Sequence, residues 1–99
     1  MSDMILSFHC ATTDADIIAA ALRTICDVPI HLHDEAVLGR DFDDAGLGEK
    51  VTGRLRRTCI ELLVEETMID ALIEVARTCR RRLPVRWHTV NVSAQGRLA

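Results

Sequence analysis

A chain of 99 residues that is 48% hydrophobic but only 3% aromatic has the material for one domain with an aliphatic core, and is too apolar for a disordered segment. Its 12 basic and 15 acidic residues leave a net charge of -3, which excludes the broad basic face of a general nucleic-acid binder. No apolar run approaches the roughly 18 residues of a membrane helix. No basic stretch leads into an apolar one at the N-terminus, and no two of Cys10, Cys26, Cys59 and Cys79 stand in a C-x-x-C pair. The expectation is a cytoplasmic protein with reduced thiols, no membrane insertion and no nucleic-acid partner.

Residues 4–10 read as a first strand, with Met4, Leu6 and Phe8 alternating against Ile5, Ser7 and His9. Thr13 is placed as a helix N-cap with Asp16 in a capping-box role. Ile17, Ile18, Ala21, Leu22 and Ile25 then form an apolar stripe that ends near Cys26. Residues 27–37 are a second strand, and Pro29 near its start marks a sheet edge, because proline has no N–H for a ladder.

Residues 34–57 form a long polar excursion containing Gly39, Gly46, Gly48 and Gly53, into which the strand ends can extend as a ribbon. Its charge is segregated: Asp41, Asp43 and Asp44 come early, Lys50, Arg54, Arg56 and Arg57 late. A connection of this length in a small domain points to function or disorder. Residues 58–65 are a third strand, with Ile60, Leu62 and Val64 on one face and Cys59, Glu61 and Leu63 on the other. Thr67 caps a second helix that presents Ile69, Leu72, Ile73, Ala76 and Cys79 to the core. This helix is expected to end in Arg80, Arg81 and Arg82, where cations complement its dipole, and to stop at Pro84. Residues 85–92 are the last strand, with Trp87 a packing residue, and residues 93–99 are a flexible tail.

The chain is written twice. At an offset of 54 residues, Thr13-x-x-Asp16 falls on Thr67-x-x-Asp70, Arg23-Thr24 on Arg77-Thr78, and Leu6 and Phe8 on Ile60 and Leu62. Strand–helix–strand repeated twice, with right-handed crossovers, gives an α+β fold: a ferredoxin-like βαββαβ sandwich with a four-stranded antiparallel sheet and both helices on one face. The first and third strands are central. The other face then carries Ile5, Ser7, His9, Cys59, Glu61 and Leu63, and an uncovered face of this kind is expected to be closed by further copies of the chain.

The best candidate for chemistry is His31-x-His33, whose imidazoles point the same way on a strand. His9 or Cys59 would complete a transition-metal set, with Glu61 assisting, and the competing reading is polar residues on an exposed strand or an interface. Lys50, Arg54, Arg56 and Arg57 suit an anion or an acidic partner surface, or an internal match with Asp41, Asp43 and Asp44. Those aspartates lack the twelve-residue calcium pattern. Cys10, Cys26 and Cys79 read as small buried hydrophobes. No serine, histidine and acid combination presents itself, and the expectation is a protein without catalytic activity.

The two βαβ halves, the long excursion and the segment Glu49-Lys50-Val51-Thr52-Gly53-Arg54-Leu55-Arg56-Arg57 resemble an uncharacterised bacterial PII-like family whose genes often lie beside heavy-metal efflux systems. The resemblance covers nearly the whole chain, and the CutA family shares the plan. It implies a homotrimer with sheets facing inward, small ligands or metal ions in the clefts between subunits, and residues 34–57 as the counterpart of the T-loop, docking on an efflux or regulatory protein. PII proteins hold nucleotide phosphates on a glycine-rich loop before the last strand. Here that junction is Arg80-Arg81-Arg82-Leu83-Pro84, without glycine, so the resemblance does not carry nucleotide binding over. The alternative function is a direct metal buffer or chaperone using His31, His33 and Cys59.

Overall fold

The computed structural model describes residues 2–38 and 55–99. Strand β1 (Asp3–Ala11) leads through a 3-10 turn (Thr12–Asp14) into helix α1 (Ala15–Leu22), followed by strand β2 (Ile30–Val37). Strand β3 (Leu55–Glu65), a second 3-10 turn (Glu66–Met68), helix α2 (Ile69–Thr78) and strand β4 (Arg86–Asn91) repeat that order. The 54-residue offset recurs in the boundaries: both 3-10 turns and both helix starts coincide under it. The sheet is antiparallel in the order β2-β3-β1-β4, so β1 and β3 are central and β2, just after Pro29, is an edge.

The alternation in β1 and β3 sorts side chains as expected. Leu6, Phe8 and Cys10 of β1 join Ile60, Leu62 and Val64 of β3 in a core with Ala15, Ile18 and Leu22 of α1 and Ile69, Leu72 and Ala76 of α2. These are duplicated positions: Leu6 and Ile60, Phe8 and Leu62, Ile18 and Leu72 each stand 54 residues apart. Fully burying one such aliphatic side chain contributes roughly 1.5–3 kcal/mol, and this single layer is the main source of stability.

Several local expectations are corrected. Neither Thr13 nor Thr67 caps a helix: each lies inside a 3-10 turn, and the N-cap positions are Asp14 and Met68, without side-chain capping bonds. The tight turns take the first N–H groups that a capping hydroxyl would otherwise serve. Helix α1 stops at Leu22, four residues before Cys26, and Ile17 and Ile25 are 47% and 39% exposed, because only the Ala15–Ile18–Leu22 edge meets the sheet. Helix α2 stops at Thr78, so Arg80, Arg81 and Arg82 belong to the following turn rather than to a helix end. Trp87 is half exposed at the rim of a pocket it shares with Phe8, Ile73 and Val85. Cys10 is buried, whereas Cys26 and Cys79 are only partly so, and all the cysteines are free thiols. The β2–β3 ladder runs out to Val37 opposite Leu55, so strand pairing continues into both ends of the 34–57 excursion.

Candidate functional site

No described helix packs on the far face of the sheet, and the ladder registers fix what stands there. One row across the strands is His31 (β2), Glu61 (β3), Ser7 (β1) and His88 (β4). The next is His33, Cys59, His9 and Arg86. Glu35, Arg57 and Ala11 follow on one side, and Leu63, Ile5 and Val90 on the other. Directly opposed residues of an antiparallel ladder share a face. All 4 histidines of the chain therefore lie on this one surface.

The face is less open at its middle than the alternation suggests. Ser7 and Cys59 are buried, because they are small and stand between long side chains on the neighbouring strands, and Ala11 is buried beside Arg57. Ile5 and Leu63 are half-buried, while His31, His33, His88 and Val90 are exposed.

Two constellations occupy the centre. His33, Cys59 and Glu61 bring an imidazole nitrogen, a thiol sulfur and a carboxylate oxygen within 4.8 Å of one another. Beside them, Nδ1 of His9 lies 2.5 Å from Oε1 of Glu35, an imidazole N–H donating to a carboxylate. The His9 ring also stacks on His88, with centroids 5.3 Å apart and planes 13° from parallel. Burial pushes the Cys59 thiol above its usual range, the carboxylates of Glu35 and Glu61 add to the rise, and a hydrogen bond with Ser7 opposes it.

Of the residues expected in a metal set, the structure thus joins His33 and Cys59, with Glu61 as the third member. His31 stands opposite Glu61 but outside the cluster, and His9 is engaged by Glu35. Glu35 and His88 were missed. Glu35 continues the period of His31-x-His33, but its diagonal partner on β1 is visible only once the register is known. Of the anion-site candidates, Lys50 and Arg54 lie outside the described residues. Arg56 and Arg57 are adjacent on β3 and so point to opposite faces: Arg56 is exposed on the helix side of the sheet, and Arg57 is buried opposite Glu35 and Ala11, its Nη1 donating to the Arg56 carbonyl at 2.8 Å.

A further carboxylate went unnoticed in the sequence. Asp14 is 2% exposed and accepts the backbone N–H groups of Arg82, at 3.0 and 2.9 Å, and Leu83, at 3.1 Å. It fills the concavity of peptide donors at the Arg80–Pro84 turn.

Residues 28–99 match a family described as "Protein of unknown function (DUF3240)". The chain belongs to the DUF3240 family. No curated protein matches it in sequence. A DUF3240 family protein from Shewanella baltica has a similar structure, with a TM-score of 0.75 over 100% of this chain and 99% of the other, at 14% identity. Arabidopsis thaliana PII bound to citrate aligns with a TM-score of 0.70 over 93% of this chain and 78% of its own, at 12% identity. A Bacillus cereus protein related to NIF3 aligns over 97% of this chain but 26% of its own, with a TM-score of 0.71 and 12% identity. Likenesses at these identities speak for the fold: a DUF3240 chain with the PII-like, ferredoxin-like architecture. Among the described residues no helix is long and apolar enough to cross a membrane.

Proposed function

We propose that this protein is a homotrimeric regulatory protein, without catalytic activity of its own, that takes a small ligand or metal ion between subunits and signals to an efflux or regulatory protein through residues 34–57. The observation that carries the reading is the far face of the sheet. It bears an apolar row of Leu63, Ile5 and Val90 beside the histidine-bearing rows, and no described element packs on it. A face of this composition is covered most economically by copies of the same chain in a closed ring. The PII-like fold supports the reading, and the Arabidopsis neighbour, bound to citrate, is an instance of this architecture with a small molecule in place. The segregated charges of Asp41, Asp43, Asp44, Lys50 and Arg54 suit a partner-docking role for the long connection.

A nucleotide is not the ligand this reading favours. At the turn before β4, where a PII protein would hold phosphates, the N–H groups of Arg82 and Leu83 are already taken by Asp14. Native mass spectrometry of the full chain at micromolar concentration tests the proposal: the expected species is a trimer, and a monomer throughout that range removes the reading. The alternative, a metal buffer or chaperone with no protein partner, is favoured by the approach of His33 to Cys59. It differs in needing neither a ring of subunits nor the 34–57 connection.

A further inference from the structure

We infer that His33, Cys59 and Glu61 form a binding site for a borderline divalent transition-metal ion of the Zn2+ or Co2+ class, one that ties edge strand β2 to central strand β3. The inference names a ligand for the regulatory reading but stands on the geometry of one chain, so the two can fail separately.

The donor set comes first. Nitrogen, sulfur and oxygen from neutral imidazole, thiolate and carboxylate suit Zn2+ and Co2+, whereas Ca2+ and Mg2+ take oxygen ligands alone. Tetrahedral bonds of about 2.0–2.3 Å place ligand atoms roughly 3.5 Å apart. The observed limit of 4.8 Å is within a side-chain rotation of that spacing, and His33, exposed on an edge strand, is free to make it. Cys59 and Glu61 are i and i+2 on β3 and so share a face. As the metal–sulfur bond forms, the thiol proton leaves to solvent, and a water fills the fourth position.

The placement comes second. His33 and Cys59 are directly opposed, so an ion between them is a cross-link across the β2–β3 ladder. Among the described residues, strand β2 has β3 as its only sheet neighbour. Beyond the cross-link the same ladder continues through Glu35 opposite Arg57 to Val37 opposite Leu55, the last described pair on either side of residues 39–54. An ion bound here fastens the root of that connection. The His9–Glu35 contact is made on the same face, from the residue opposite Cys59 to the residue two beyond His33, and fixes the neighbouring rung without supplying a ligand.

The test is a Co2+ titration of the reduced full chain, followed by absorption and by native mass spectrometry in one sample. The expected result is one ion per chain, with tetrahedral visible bands and a thiolate-to-cobalt charge-transfer band in the near ultraviolet. Cys59→Ser, which keeps the size of a buried side chain, abolishes the charge-transfer band. His33→Ala, at an exposed position that leaves the core intact, weakens binding more than about 10-fold, and His88→Ala does not change it. A charge-transfer band that survives Cys59→Ser, unchanged affinity in His33→Ala, or no saturable Co2+ binding overturns the site. The mass spectrum separates this outcome from the regulatory reading: a trimer that takes up no cobalt removes the site alone, and a monomer that binds one ion removes the trimer alone.

Discussion

The carboxylate of Asp14 receives the backbone N–H of Arg82 on both its oxygens, at 3.0 and 2.9 Å, across 68 positions of sequence. With the Leu83 N–H at 3.1 Å, this one buried side chain ties the corner after β1 to the turn that launches β4. A bond to a charged acceptor contributes about 1.5–3 kcal/mol, and removal of the acceptor leaves peptide donors without their partner. Asp14→Ala is therefore expected to lower unfolding stability by about 2–4 kcal/mol, and Asp14→Asn, which keeps one acceptor oxygen, by less. Urea denaturation of both variants checks the order. A loss under about 0.5 kcal/mol for Asp14→Ala, the size of an ordinary surface substitution, contradicts the role.

The far-face residues and Asp14 mark where sequence was sufficient and where it was not. Alternation in β1 and β3 identified the sides of Leu6, Phe8, Ile60 and Leu62, because a period of two has one physical meaning on a sheet with one covered face. The duplication supplied the topology. The same duplication misled at the helix starts, where Thr13 and Thr67 look like paired caps yet sit in 3-10 turns. Asp14 breaks the repeat, since its counterpart 54 residues on is Met68, and nothing local links it to Arg82. His31 and His33 could be assigned one face from spacing, but the choice of His33 over His31 as neighbour of Cys59 depends on the register of β2 against β3, a tertiary property.

Cys10 gives the fold a sensitivity to alkali. Burial, reinforced by Asp14, Cys59 and Cys79 and opposed by Arg57, pushes its thiol up to about 11 from an ordinary value of 9.0. The folded chain therefore holds this proton at pH values where the unfolded chain has lost it. Stability from this group is complete below pH 9 and falls as the pH rises toward 11, because deprotonation favours the unfolded state there. The full effect is about 2–3 kcal/mol at 1.36 kcal/mol per pH unit. Chemical denaturation at pH 8, 9.5 and 11 is expected to show the decline in the wild type and a shallower one in Cys10→Ala. Parallel profiles would assign the alkaline loss to other groups.

Val90 offers the cleanest probe of whether copies close over the far face. It is 51% exposed on edge strand β4 and completes the apolar row with Ile5 and Leu63, so a carboxylate there costs an isolated chain little. Enclosed between subunits, the same carboxylate carries a desolvation penalty of several kcal/mol. A ring repeats the penalty at each interface. If the proposed trimer closes over this face, Val90→Asp converts it to monomer at micromolar concentration while its circular dichroism stays that of the wild type. Ile17→Asp, on the outer side of α1 at 47% exposure, is the matched control and is expected to leave the assembly unchanged. Light scattering after size exclusion measures both. A Val90→Asp protein that remains trimeric would place the subunit contact elsewhere on the molecule and leave the histidine face to a different occupant.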